Sequence, residues 1–112
     1  MSEHGKLSLM VPVLALTLMV ALPAQSRAAQ GMIIITGECP YMVLDSSEGQ
    51  ILVKKVTGDS VPETGDILVG DFKPKSFATL SNKRTNKSLK VWVDMVDRHG
   101  NRAMARHTRY CR

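Results

Sequence analysis

The chain has 112 residues, with 15 Lys and Arg against 10 Asp and Glu, 44% apolar residues and a formal net charge of +5. That length excludes more than one small domain. Two Cys allow a single intramolecular bridge, and an aromatic content of 4% makes a poor stacking floor.

The first residues read as an export signal. Met1 to Lys6 is polar and carries Lys6, and Leu7 to Leu22 is apolar apart from Ser8 and Thr17. Ser26 and Ala28 then supply the small residues that a cleavage site before Ala29 requires. This layout predicts a signal peptide over residues 1–28 and a mature domain over residues 29–112. The rival reading is a retained membrane anchor. Against it, the apolar run is shorter than the roughly 20 residues a spanning helix needs, and Pro12 interrupts it. After cleavage no transmembrane anchor is expected, and the protein is placed in the periplasm or outside a bacterial cell.

Export takes the chain out of the reducing cytosol. Cys39 and Cys111 lie near the two ends of the mature chain and read as a disulfide. The alternative is a pair of buried or reactive thiols. Closing so long a loop stabilises a domain by about 4 kcal/mol in the chain-entropy account.

Short strands follow one another along the mature chain. Met32–Thr36 is a β-branched run ended by Gly37, and Tyr41–Leu44 starts after Pro40, which cannot donate to a ladder. Ile51–Val56 comes after a polar turn. Val61–Gly65 is a tight corner in which Pro62 presets φ and Gly65 takes a positive φ. Asp66–Val69 leaves that corner and ends at Gly70, where the chain bends or another backbone comes close. Asp66 and Asp71 therefore read as turn-formers rather than catalytic acids. Ser88–Val96 is the longest run. Its alternation puts Leu89, Val91, Val93 and Met95 toward a core and Lys90, Trp92, Asp94 and Val96 on the other face. Trp92 either packs under the C-terminal segment or is partly exposed as a binding platform.

Arg98 to Arg112 sorts better as a helix than as a strand. At 100° per residue, Arg98, Arg102, Arg106, Arg109 and Arg112 form one stripe. Ala103, Met104, His107, Tyr110 and Cys111 form the opposite face, and Asp97 or Asn101 caps the start. The predicted fold is mainly β: a small five-stranded barrel, OB-like or SH3-like, with one C-terminal helix.

Pro62–Phe72, then Val91–Asp94, then Arg102–Met104 and Cys111 resemble small exported bacterial proteins of no assigned activity. In those chains a short β-meander is followed by a helix ending in Cys. The resemblance implies the helix and the disulfide and carries over no functional residue. Where such chains carry aromatics after the second strand, this one has Val53, Lys54 and Lys55.

Catalytic patterns are missing. His99 and His107 are not spaced with Cys, Asp or Glu as a metal site needs, and no phosphate loop, dinucleotide fingerprint or nucleophile elbow occurs. His107 reads as a satisfied, half-buried side chain. Met32, Met42, Met95 and Met104 read as core residues rather than as a copper site. No cofactor and no metal is implied, and the protein is expected not to be an enzyme.

Charge is the informative feature. Residues 29–72 hold two Lys against seven Asp and Glu, whereas residues 73–112 hold eleven Lys and Arg against two Asp. The basic groups fall in a loop with Lys73, Lys75, Lys83, Arg84, Lys87 and Lys90, and on the Arg stripe. With Trp92, they are the candidate anion-binding residues: Lys73, Lys75, Lys83, Arg84, Lys87, Arg98, Arg102, Arg106 and Arg109. The bland reading is a solvated face. The sharper one is a binding module for an anionic envelope component or an acidic protein, with nucleic acid the poorest fit. The alternative is an accessory or structural protein in a protein–protein or homo-oligomeric contact.

Overall fold

The computed structural model of the protein describes residues 28–58 and 61–112. The signal peptide expected over residues 1–28 lies outside the described residues except for Ala28. Six strands form the domain: β1 (Ala29–Ile35), β2 (Tyr41–Ser46), β3 (Gly49–Gly58), β4 (Ile67–Gly70), β5 (Ser76–Asn82) and β6 (Lys87–Asp97). One helix follows, α1 (Arg102–Tyr110). The strands close into a barrel in the order β1-β2-β3-β6-β5-β4, every neighbour antiparallel. Closure leaves no free sheet edge.

The strand beyond the expected five is β5, inside the segment read as a basic loop. Its inward positions are Ser76, Ala78, Leu80 and Asn82, of which only Leu80 is large and apolar, while Phe77 is 59% exposed. Only Ala78–Ser81 alternates in the usual sense; Ser76 and Asn82 facing in and Phe77 facing out blur the pattern, so hydrophobicity alone does not reveal the strand.

The interior is filled by Ile33, Met42, Leu44, Ile51, Val53, Leu68, Leu80, Leu89, Val91 and Val93. A second, smaller apolar layer lies outside the sheet, where Val43 and Leu52 pack beneath Ala103 of the helix with Met95 and Met104 beside them. The two layers explain one departure from the expected alternation. Between Leu52 and Val53 the β3–β6 register slips by a residue at Asp94, a β-bulge. Past it the faces exchange. Met95 lies under the helix and Val96 packs on the barrel core, the reverse of the strict alternation predicted for them. Met32 departs as well, being 41% exposed rather than a core residue.

The helix is shorter than its charge stripe. Arg98 precedes it and Arg112 follows it. Its start is held by Asp97, whose carboxylate accepts the N–H of Arg102 at 2.6 Å and that of His99 at 3.3 Å. Asn101 makes no side-chain cap. The other end is tied by the Cys39–Cys111 disulfide, with Cα atoms 5.6 Å apart. His107 is half-buried and its Nε2 lies 3.2 Å from the Tyr41 carbonyl. The helix thus runs along the outside of β2, β3 and β6 from one end of the barrel to the other.

The corner before β4 forms as predicted. Gly65 has φ +95°, and β4 runs from Ile67 to Gly70. At Gly70 a Cβ would stand 2.5 Å from Leu80 Cδ2 and 3.0 Å from the Thr79 carbonyl oxygen. Gly70→Ala is therefore expected to destabilise the protein by roughly 1–3 kcal/mol, through overpacking against β5. A lower urea midpoint with an unchanged slope is the sign to look for.

Candidate functional site

The candidate cations divide into three sets, and most of them have acidic partners. At one end of the barrel Arg84 makes two bonds to Asp66, from Nε to Oδ1 at 2.6 Å and from Nη2 to Oδ2 at 3.1 Å, and it stands 3.3 Å from Glu63. Asp66 also accepts Asn82 Nδ2 at 2.9 Å and the Glu63 N–H at 2.9 Å. The Arg84 hydrogen bonds, with those from Asn82 and Glu63, hold this buried carboxyl far below the usual carboxylate range against the opposing effect of burial. Asp66 is thus a turn-former with a second duty as anchor for Arg84. Lys83 and Lys87 share that end of the barrel and have no acidic partner among the described residues.

The second set is at the opposite end. Arg98 bonds Glu48 at 3.3 Å, and Arg102 approaches Asp97 at 3.4 Å. Burial would raise the Asp97 carboxyl, but the N–H groups of Arg102 and His99 outweigh it and hold it low. Lys73, in the turn before β5, has no acidic partner among the described residues. The seven residues of β5 separate the two ends by about 20 Å. The basic loop of the sequence is therefore not one patch.

The third set surrounds Trp92. The register places Tyr41 opposite Lys54, Lys54 opposite Trp92, and Trp92 opposite Phe77. These four side chains form one transverse row on the outer face of β2, β3, β6 and β5, about 14 Å long from strand spacing. Phe77 and Trp92 pack edge to face with centroids 4.9 Å apart, and Tyr110 extends the row from the helix, 4.7 Å from Tyr41. Lys54 Nζ lies 5.7 Å from the Tyr41 centroid, and Lys90 Nζ lies 5.1 Å from that of Phe77. Of the five aromatic residues in the chain, four meet here.

Two more cations border the row through the Asp94 bulge. Arg106 bonds Asp94 at 2.9 Å from the helix, and Lys75 reaches it at 3.4 Å from the turn before β5. The Lys75 N–H donates to the Val93 carbonyl at 2.8 Å, which fixes that turn beside Trp92. Burial pushes the Asp94 carboxyl up, but the Arg106 bond and the Lys75 charge overcome it and keep it low. Lys54, Lys75, Lys90 and Arg106 thus stand around Trp92 against the single carboxylate of Asp94.

Of the sequence candidates, then, the fold gathers Trp92, Lys75 and Arg106. It sends Lys83, Arg84 and Lys87 to one end and Lys73, Arg98 and Arg102 to the other. Arg109 is exposed on the last turn of the helix. Sequence reasoning missed Tyr41, Lys54, Phe77 and Tyr110 as members of a surface. The one signal was for Phe77 alone, in its alternation with Thr79 and Ser81 on the exposed face of β5. Among the described residues no three His, Cys, Asp or Glu side chains gather as a metal site, no cysteine is free, and no helix is long and apolar enough to cross a membrane. Compared with known protein families, curated proteins and solved structures, the chain matches none of them.

Proposed function

We propose that this protein is a non-enzymatic binding module, exported from a bacterium, that engages an anionic envelope component on the outer face of β2, β3, β6 and β5. The observation that carries this reading is the Tyr41–Lys54–Trp92–Phe77 row with its surplus of positive charge. Half-exposed rings flanked by ammonium groups combine apolar contact with charge attraction. The site is centred on Lys54, Trp92 and Lys90 rather than on the Arg stripe, because Arg98, Arg102 and Arg106 already have carboxylate partners. The three buried carboxylates support a non-catalytic role. Asp66, Asp94 and Asp97 are each occupied as anchors, Asp66 for Arg84 and Asn82, Asp94 for Arg106 and Lys75, and Asp97 for the N–H groups that start the helix. The disulfide fits an oxidising compartment. Kinship with OB-like or SH3-like barrels belongs to the same proposal, supported by the β1-β2-β3 meander of a small closed barrel.

The test is a salt titration of the oxidised protein against anionic vesicles, an acidic polysaccharide and single-stranded DNA. Binding should weaken steeply between about 50 and 200 mM salt. Lys54→Glu with Lys90→Glu should weaken it further at low salt while the thermal midpoint holds. Equal binding by the charge-reversed protein would exclude this face. A salt-sensitive dimer in sedimentation, with no anion bound, would instead support the homo-oligomeric reading.

A further inference from the structure

The aromatic row has a neighbour of different chemistry. One rung along the same outer face, Thr57 pairs with Lys90 and Lys90 with Thr79. The next rung pairs Ser81 with Ser88. All five of these side chains are exposed. The face therefore carries two parallel strips, one of rings with Lys54 and one of hydroxyls with Lys90. Tyr41 and Trp92 lie two strands apart, about 10 Å, close to the length of two linked pyranose rings, and Lys54 stands between them.

We infer that this face binds an acidic polysaccharide, a polymer of uronate-type sugars lying across the strands. The inference rests on the binding reading above and narrows it to one class of ligand. Sugar rings present C–H surfaces that pack on Trp92 and Tyr41. Their carboxylates meet Lys54 and Lys90. Their hydroxyls exchange hydrogen bonds with Thr57, Thr79, Ser81 and Ser88. An anionic phospholipid surface offers headgroup phosphates to Lys54 and Lys90 but no C–H ring faces to Trp92 and Tyr41. The open, convex shape of the face suits an extended chain rather than a small molecule.

Trp92 is the only Trp, so its emission reports the site directly. The oxidised full protein is titrated at low salt with alginate, with a neutral dextran, with oligo(dT) and with phosphatidylglycerol vesicles. Alginate should change the Trp92 emission and dextran should not. Thr57→Val with Thr79→Val preserves shape and strand preference and should weaken alginate binding about tenfold. Trp92→Ala, followed by calorimetry, should do the same. Where Trp92→Ala fails to fold, Trp92→Phe with Tyr41→Leu replaces it. Alginate binding unchanged by the Thr pair overturns the polysaccharide assignment. Tighter binding of oligo(dT) or vesicles than of alginate also overturns it, while leaving the broader anion reading in place. No binding to any of the three anions overturns both.

Discussion

Replacing Cys39 and Cys111 with Ser should lower the thermal midpoint by roughly 20 °C. The bridge spans 72 residues of sequence. In the chain-entropy account a loop of that length stabilises the folded state by about 4 kcal/mol, and in a domain this small each kcal/mol moves the midpoint by about 4–8 °C. The bridge also clamps the helix end, and through it the cover over Val43 and Leu52. Circular dichroism melts of the oxidised protein, the reduced protein and the double variant measure the effect. The reduced protein and the variant should agree. A shift of less than about 5 °C would mean that the Asp97 cap, the Arg106–Asp94 pair and the apolar contact of Ala103 hold the helix without covalent help.

Asp66→Ala should cost about 3 kcal/mol, because it strands buried donors. The carboxylate is nearly inaccessible and receives four hydrogen bonds, from Arg84, Asn82 and the Glu63 N–H. Its removal leaves Asn82 Nδ2, which is wholly buried, without a partner. Arg84 is nearly half exposed and recovers water, which keeps the cost at the low end for a broken buried pair. The same site sets the acid response. The folded-state pKa of Asp66 is depressed, so the unfolded chain takes up its proton first as pH falls. The stabilisation from Asp66 is complete above about pH 5 and is lost as pH drops through about 4, where the unfolded carboxyl titrates, toward the lower folded value. Urea midpoints measured across this range should show a falling limb that is shallower in Asp66→Asn. Some slope should survive in that variant, since Asp94 and Asp97 are depressed in the same direction. An identical limb in wild type and variant would place the acid sensitivity elsewhere.

Much of the barrel is legible in the sequence because five of its strands carry their large apolar residues inward. Ile33, Leu44, Val53, Leu68 and Val91 belong to runs that any periodicity test finds. The remaining strand escapes because Leu80 is its one large inward apolar residue, flanked by inward Ser76, Ala78 and Asn82, and Phe77 faces out. The helix is legible from the sorting of Ala103, Met104 and His107 against the arginines, and the bridge from the two Cys alone. The Asp94 bulge is not, since a one-residue slip belongs to pairing between strands and leaves no mark on either strand's composition. The same limit hides the site. Tyr41, Phe77, Trp92 and Tyr110 are scattered along the chain and meet only through register. Counting charges found the basic half. It could not find that Glu48, Glu63 and Asp66 from the acidic half fold back onto Arg98 and Arg84.

The bridge also decides how the domain bears mechanical load. Tension applied between the first described residues and Arg112 enters the covalent loop at Cys111 and leaves it at Cys39. Everything between them, β2 through α1, is bypassed by the S–S link and feels no stretching force. Only β1 lies outside the loop. A pull can peel this strand from β2 and β4 before the sulfur bond itself carries the load, and because β1 is already extended the release adds little length. An oxidised molecule anchored at both ends would thus open at one seam, while its reduced counterpart would unravel along its whole length.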